Sequence, residues 1–359
     1  MKNIIVIAGL LLFLNQINAQ VSQPYTVDFE NHSPGTYTTA MVSSDFPAAE
    51  WYHGFEYERA TIVIEEGNRV LRVKYPQGCL GPNYEEGCGI QIKWRLPETA
   101  DTMWVSYKLK FEDGFDFRKG GKLAGLCGGK AYTGGNKPAS KGDGWSARIM
   151  WRENGTAFQY MYYVEQAANY GDYWAWQENG TASRFRSGEW YTVTTQIILN
   201  TIHRGASQGN HDGIIRSWLN GNPVMEKTNL RLVDFENQSI DLFYFSTFHG
   251  GSSADWSPIR DSYIRYDDII ISKDPIFNES TSINVPHETT IFLSNSASGQ
   301  LTVNAEKEIR LLEVYSVLGR KLIHTPENSI NIQPLVPGIY LIQVTFQDDT
   351  RSGLRFRKS

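Results

Sequence analysis

Two runs of alternating residues lie close together in this 359-residue chain. Ser146, Arg148, Met150 and Arg152 occupy every second position of the first, and Phe158, Tyr160 and Tyr162 of the second. Side chains two apart on a β-strand share a face. A hydroxyl, guanidinium groups and two phenols can therefore meet if the runs pair. That set suits removal of a proton from the carbon beside a carboxylate. In a uronic acid this is the C5 proton, which is hard to take while the carboxylate keeps its charge. A bound cation lets charge spread into the carboxylate and stabilises the enolate-like state. A base then takes the proton and an acid protonates the leaving O4. In this reading Arg148 neutralises the carboxylate. Tyr162 or Tyr160 is the base, a tyrosine is the acid, and Ser146 positions the sugar or a tyrosine. Tyrosine ionises near pH 10, and neighbouring cations lower that value.

The turn between the runs decides whether they can cooperate. Glu153-Asn154-Gly155-Thr156 reads as a hairpin. A strict two-residue Asn154-Gly155 loop would pair Arg148 with Met161 and send the tyrosines to the far face. A three-residue loop or a bulge would pair Arg148 with Tyr160 or Tyr162. The chemistry therefore requires an odd loop between Arg152 and Ala157.

Other residues extend the site or compete with it. Lys93 and Arg95 share a strand face and could line a basic groove. Such a groove is needed because the net charge of −5 does not draw polyanions to the molecule as a whole. The Gly128–Gly144 stretch is long enough to be functional and to arch over a groove. The adjacent Asp267 and Asp268 should point to opposite strand faces, which disfavours a glycosidase pair. No Cys/His spacing suits zinc. Neither a metal nor another cofactor is expected, and nucleic acid is not an expected partner. A binding module on the same scaffold would keep the aromatics without needing a tyrosine pair, and a hydrolase would need the missing carboxylate pair.

The elements that must position these groups are strands. From Val27 to about Ser272, runs such as Ile90–Leu96, Met103–Phe111 and Tyr191–Leu199 alternate with Gly-, Asn- and Pro-containing turns, and no long segment has helical periodicity. This is an all-β pattern, read as an antiparallel jelly-roll sandwich over residues 20–275. The apolar run from Ile4 to Leu14, ending near Ala19, reads as a signal peptide, and no later stretch spans a membrane. In an exported chain, Cys79 and Cys88 should form a disulfide across a short loop, leaving Cys127 as a buried small residue. Residues 276–290 read as a linker. Residues 291–359 read as a small Ig-like β-sandwich. A monomer is expected.

Two resemblances sharpen the reading. Leu312-Glu-Val-Tyr-Ser-Val-Leu-Gly-Arg-Lys, Leu335-Val-Pro-Gly-Ile-Tyr-Leu-Ile-Gln-Val and the basic terminus resemble the C-terminal sorting domain of the type IX secretion system. That resemblance implies handling by the secretion machinery, with a secreted or cell-surface location. Gly121-Lys-Leu-Ala-Gly-Leu, Gly144-Trp-Ser-Ala-Arg-Ile-Met-Trp-Arg, Tyr160-Met-Tyr-Tyr, Trp218-Leu-Asn-Gly and Phe245-Ser-Thr-Phe-His-Gly-Gly resemble the family 14 polysaccharide lyases. The family includes alginate and glucuronan lyases of jelly-roll fold. The resemblance implies β-elimination on an anionic uronate polymer, with alginate the first expectation and glucuronan the second. It places the family's lysine at Lys122, which joins Arg148 in neutralising the carboxylate, its serine and arginine at Ser146 and Arg148, and its tyrosines at Tyr160 and Tyr162, and it gives His249, where some relatives carry an aromatic, a substrate contact.

Overall fold

The computed structural model describes residues 24–82, 87–135, 142–251, 253–276, 291–295, 299–305, 307–316, 321–336, 338–348 and 351–358. The expected signal segment, residues 1–19, and all but the first residue of the expected linker lie outside them. The chain divides into two compact units between Ile276 and Phe277.

The first unit is a sandwich of two antiparallel sheets. The seven-stranded sheet contains β1 (Ala49–His53), β2 (Ile90–Ala100), β3 (Gly120–Gly129), β4 (Gly144–Arg152), β5 (Ala157–Tyr162), β6 (Asp172–Ala175) and β7 (Ile240–His249). Its spatial order is β6-β5-β4-β3-β7-β2-β1. The nine-stranded sheet runs Asn222–Leu230, Gly213–Leu219, Trp190–Ile198, Thr102–Phe111, Ser262–Ser272, Asn68–Tyr75, Ala60–Glu65 and Gly35–Thr36, with Tyr25–Val27 also on Ser262–Ser272. Neighbours in space are often distant in sequence, as a jelly roll requires. A short helix, Thr39–Asp45, is capped by Thr38, whose hydroxyl accepts the Met41 N–H at 3.4 Å.

Alternation along the strands separates core from cleft. On β4, Trp145, Ala147, Ile149 and Trp151 enter the core between the sheets. There they join Phe243 and Phe245 of β7 and Val105, Tyr107, Leu109, Ile264 and Tyr266 of the other sheet. Arg148, Met150 and Arg152 of the opposite phase reach a cleft on the outer face. Burial of the apolar phase contributes about 2 kcal/mol per large side chain and thereby fixes which phase faces out.

The hairpin has the parity that the chemistry needs. Glu153–Gly155 forms a tight turn, and Arg152 N–H donates to the Thr156 carbonyl at 2.8 Å. Three residues thus lie in the loop, so Arg148 pairs with Tyr160 and Ser146 with Tyr162. Asn154 and Gly155 both have left-handed backbones, at φ 57° and 72°. Asn tolerates that region. At Gly155 a Cβ would also lie 2.0 Å from the Phe185 carbonyl oxygen, so glycine is required.

Cys79 and Cys88 form a disulfide with a Cα–Cα separation of 5.2 Å, and Cys127 is free and buried. The second unit is a smaller sandwich. A three-stranded sheet, Ile291–Asn295, Gln300–Ala305 and Ser329–Asn331, faces a four-stranded one, Lys321–Thr325, Ile309–Ser316, Gly338–Phe346 and Arg351–Lys358. Leu301, Val303 and Ile330 of the first sheet and Leu312, Val314, Ile342 and Val344 of the second share its core.

Candidate active site

Residues in register across the seven-stranded sheet form rows. Trp51, Lys93, Tyr244, Gly125, Arg148, Tyr160 and Tyr173 are successive partners, one from each strand. At about 4.8 Å per strand the row spans roughly 29 Å. A second row holds Phe248, Lys122, Met150 and Phe158. All of the first row but Gly125, and all of the second but Phe158, line one cleft of about 740 Å³. Lys93, Lys122, Arg148 and Arg152 project into it, and no Asp or Glu lines it among the described residues. The locally basic groove that the net charge of −5 made necessary is therefore present.

Lys122 lies on β3, where the ladder to β4 shifts register between Lys122 and Gly125. Its side chain is buried, with Nζ 4.6 Å from the Tyr160 ring centroid. Burial, then Arg148 and Arg152, push its ammonium down to about 7. The protein thus keeps a lysine that is partly neutral at physiological pH.

Arg148 is also buried, and its Nη1 donates to Ser246 Oγ at 3.2 Å. Its guanidinium sits 5.4 Å from the ring centroids of both Tyr160 and Tyr244. Its Nε meets no acceptor among the described residues.

The Tyr160 and Tyr162 hydroxyls are 3.0 Å apart. Tyr160 also donates to the Tyr170 carbonyl, and Tyr162 accepts the Gly135 N–H at 3.2 Å. Burial, and then Tyr162, hold the Tyr160 phenol above its ordinary range, outweighing Arg148 and Arg152. The expectation that nearby cations lower a site tyrosine is thus reversed at Tyr160, because dehydration of the phenolate costs more than the cations return.

The remaining expected residues divide. Lys93 lines the cleft, with Nζ 5.2 Å from the Tyr244 centroid. Ser146 shares the face of Arg148, but it is fully buried and donates to the Tyr132 carbonyl at 2.8 Å. It therefore supports the loop of which Thr133 and Gly134 reach the cleft, while residues 136–141 of that loop lie outside the described set.

Arg95 does not line the cleft, because it pairs with Glu50 at 2.8 Å and Asp241 at 2.7 Å. His249 is corrected as well. It belongs to the core-facing phase of β7, fully buried among the Tyr75, Phe115 and Trp151 rings. Burial pushes its imidazole down to about 4; it packs in the core and does not line the cleft.

Asp267 and Asp268 lie in the other sheet at a register shift. Asp268 pairs with Lys108 at 2.7 Å, and burial, then Asp268, push Asp267 up to about 7. Sequence reasoning gave no role to Trp51, Tyr170, Tyr173, Tyr244 or Trp256, which line the cleft. The period of two on β7 could have found Tyr244. The others depend on loops or on edge strands.

Comparison with known proteins agrees with this geometry. Residues 64–269, more than half of the chain, match the polysaccharide lyase 14 family. Residues 295–353 match the secretion system C-terminal sorting domain. No curated protein matches the chain. Among solved structures, the alginate lyase Aly36B is 28% identical with a TM-score of 0.59, covering 70% of this chain and 97% of its own. A doubly substituted Aly36B in complex with an alginate tetrasaccharide is 27% identical with a TM-score of 0.60, covering 72% of this chain and 99% of its own. The marine alginate lyase from Aplysia kurodai is 22% identical with a TM-score of 0.56, covering 70% and 99%, and shares the fold. A β-sandwich whose basic cleft carries a tyrosine pair, matched by the family over most of that sandwich, identifies this chain as a polysaccharide lyase of family 14.

Proposed function

We propose that this lyase cleaves alginate, and mannuronate-rich alginate first, by β-elimination. One observation carries the reading: Lys93, Arg148, Arg152 and the buried Lys122 share a cleft with a hydrogen-bonded tyrosine pair, and no described carboxylate opposes them. The alginate named for Aly36B and for its tetrasaccharide complex supports the choice of polymer.

The uronate carboxylate is placed against Arg148, whose free Nε and second Nη suit a carboxylate. Withdrawal of the C5 proton pushes its electron pair into a C4–C5 double bond. The C4–O4 bond breaks, and O4 leaves with a proton from the enzyme. The sequence assigned the base to a tyrosine and charge neutralisation to Lys122. The site favours a different division. Lys122, down at about 7, offers a neutral amine near neutral pH, whereas Tyr160 stays protonated and suits donation to O4. Tyr162 holds the Tyr160 hydroxyl in place.

The test is ultraviolet absorbance of the new conjugated double bond. The mature chain is incubated with polymannuronate, polyguluronate, glucuronan and a neutral glucan, each with and without chelator. A signal that rises fastest on polymannuronate, unchanged by chelator, is expected. A faster rise on glucuronan would replace the polymer, and binding to a uronate polymer without any absorbance would overturn elimination. The matched sorting domain supports a secreted or cell-surface location.

A further inference from the structure

Arg152 is a cation that the mechanism above leaves without a task. It ends β4, four residues from Arg148 on the same face, and it lines the cleft. At about 3.3 Å per residue the two backbones stand roughly 13 Å apart. That separation leaves room for each guanidinium to meet a carboxylate of its own. Elsewhere in this unit arginines meet acids: Arg72 with Glu112 at 2.7 Å, Arg95 with Glu50 at 2.8 Å, and Arg265 with Glu65 at 2.6 Å. Among the described residues Arg152 meets none. Its guanidinium lies instead 5.5 Å from the Tyr173 centroid and 5.3 Å from the Trp256 centroid.

Two glycines make room for this arrangement. A Cβ at Gly251 would come within 2.2 Å of the Trp256 ring, and one at Gly120 within 3.1 Å of Arg152 Cδ. The Lys119–Asp255 pair, at 2.7 Å, ties the turn Ala254–Trp256 to the start of β3. Aromatic faces hold a guanidinium without consuming its in-plane donors. The side chain is thus ordered before any ligand arrives, so little conformational entropy is lost on binding.

We propose that Arg152, set between Tyr173 and Trp256, binds the carboxylate of a second uronate unit, away from the one that loses its proton. The inference rests on the lyase reading and extends it. The cleft then recognises a run of charged units rather than a single charged sugar. Arg152 acts through position and specificity and not through the bond-breaking step.

The test is calorimetric binding of an alginate hexasaccharide, and of its carboxyl-reduced neutral counterpart, to the full mature chain carrying Tyr160→Phe. Adding Arg152→Gln is expected to weaken the charged ligand about tenfold, the loss of roughly 1.4 kcal/mol. Its neutral counterpart should bind as before, and Arg152→Lys should recover part of the loss. Unchanged affinity for the charged ligand in Arg152→Gln would overturn the proposal. So would equal loss for both ligands with a lowered melting temperature, which would mark a purely structural clamp. Elimination is read separately, by absorbance with the unsubstituted chain. An absence of product there would sink the lyase reading, while the binding result still decides whether Arg152 holds a carboxylate.

Discussion

Lys122 shows at the scale of one residue how a site is kept at the expense of stability. Its folded value, about 7, lies below the 10.5 of free lysine. Between those pH values the unfolded chain holds a proton that the folded chain releases, so stability rises with pH across that window. At pH 7 the buried amine therefore costs stability. Lys122→Met is expected to raise the melting temperature of the ligand-free protein by at least about 2 °C, while elimination is lost. A lowered melting temperature with activity retained would contradict both roles. The pH profile of kcat/KM reports the free enzyme. With Lys122 as base its acid limb falls near pH 7, and with Tyr160 as base it would lie above the ordinary tyrosine range. Tyr160→Phe is expected to lower kcat by at least about a hundredfold and to leave polymer binding measurable by calorimetry. Retention of full turnover would remove Tyr160 from the reaction. Arg148, Tyr160 and Tyr162 were legible in the sequence because the period of two places them on one face. The protonation of Tyr160 was not, because its burial is set by segments remote in the chain, such as the Tyr170 loop.

At the scale of elements, parity explains both what was legible and what was missed. The odd hairpin loop followed from requiring Arg148 and Tyr160 to meet, and the pairing of Arg148 with Tyr160 shows it. The same rule applied to β7 would have moved His249 inward, since it shares phase with Phe243, Phe245 and Thr247. Its place in the family resemblance, where some relatives carry an aromatic, instead drew it toward the sugar. Parity assigns a face but not reach, which is why Ser146 lies on the right face yet serves a loop carbonyl. Gly155→Ala should cost roughly 2 kcal/mol or more, from a left-handed backbone and a clash with Phe185. Thermal unfolding would show it, and an unchanged melting temperature would mean that the turn has relaxed. His249 sets a second expectation. Its imidazole ionises at about 4 when folded and 6.5 when free. As pH falls from 6.5 to 4 the unfolded chain gains the proton first, and stability drops by about 3 kcal/mol. His249→Phe should flatten that part of the stability curve, as followed by denaturant unfolding from pH 7 to pH 4.

For the whole molecule, charge is segregated. The net charge is −5 while the cleft gathers Lys93, Lys122, Arg148 and Arg152 with no described acid. Much of the remaining basic charge is absorbed in pairs such as Arg265 with Glu65 and Glu112, on the other sheet of the sandwich. Attraction between the cleft and a polyanion is screened over about 8 Å at physiological salt. KM for the polymer should therefore rise steeply between low and high salt, with kcat changing much less. A KM indifferent to salt would mean that contacts other than charge dominate binding. The all-β class and the two sandwiches were legible from strand length and turn residues. The cleft was only half legible, because Trp51, Tyr173 and Trp256 reach it from an edge strand, a short strand and a turn with no shared period.

The three-residue turn at Glu153–Gly155 has a consequence for inheritance. Most surface turns tolerate the gain or loss of a codon. Here the loss of one would leave the reading frame intact and the strand in place, yet it would exchange the fates of neighbours. Met161 would enter the cleft, and Tyr160 and Tyr162 would be driven into the oily interior. Descendants of this gene can therefore vary the letters of the turn far more freely than its length.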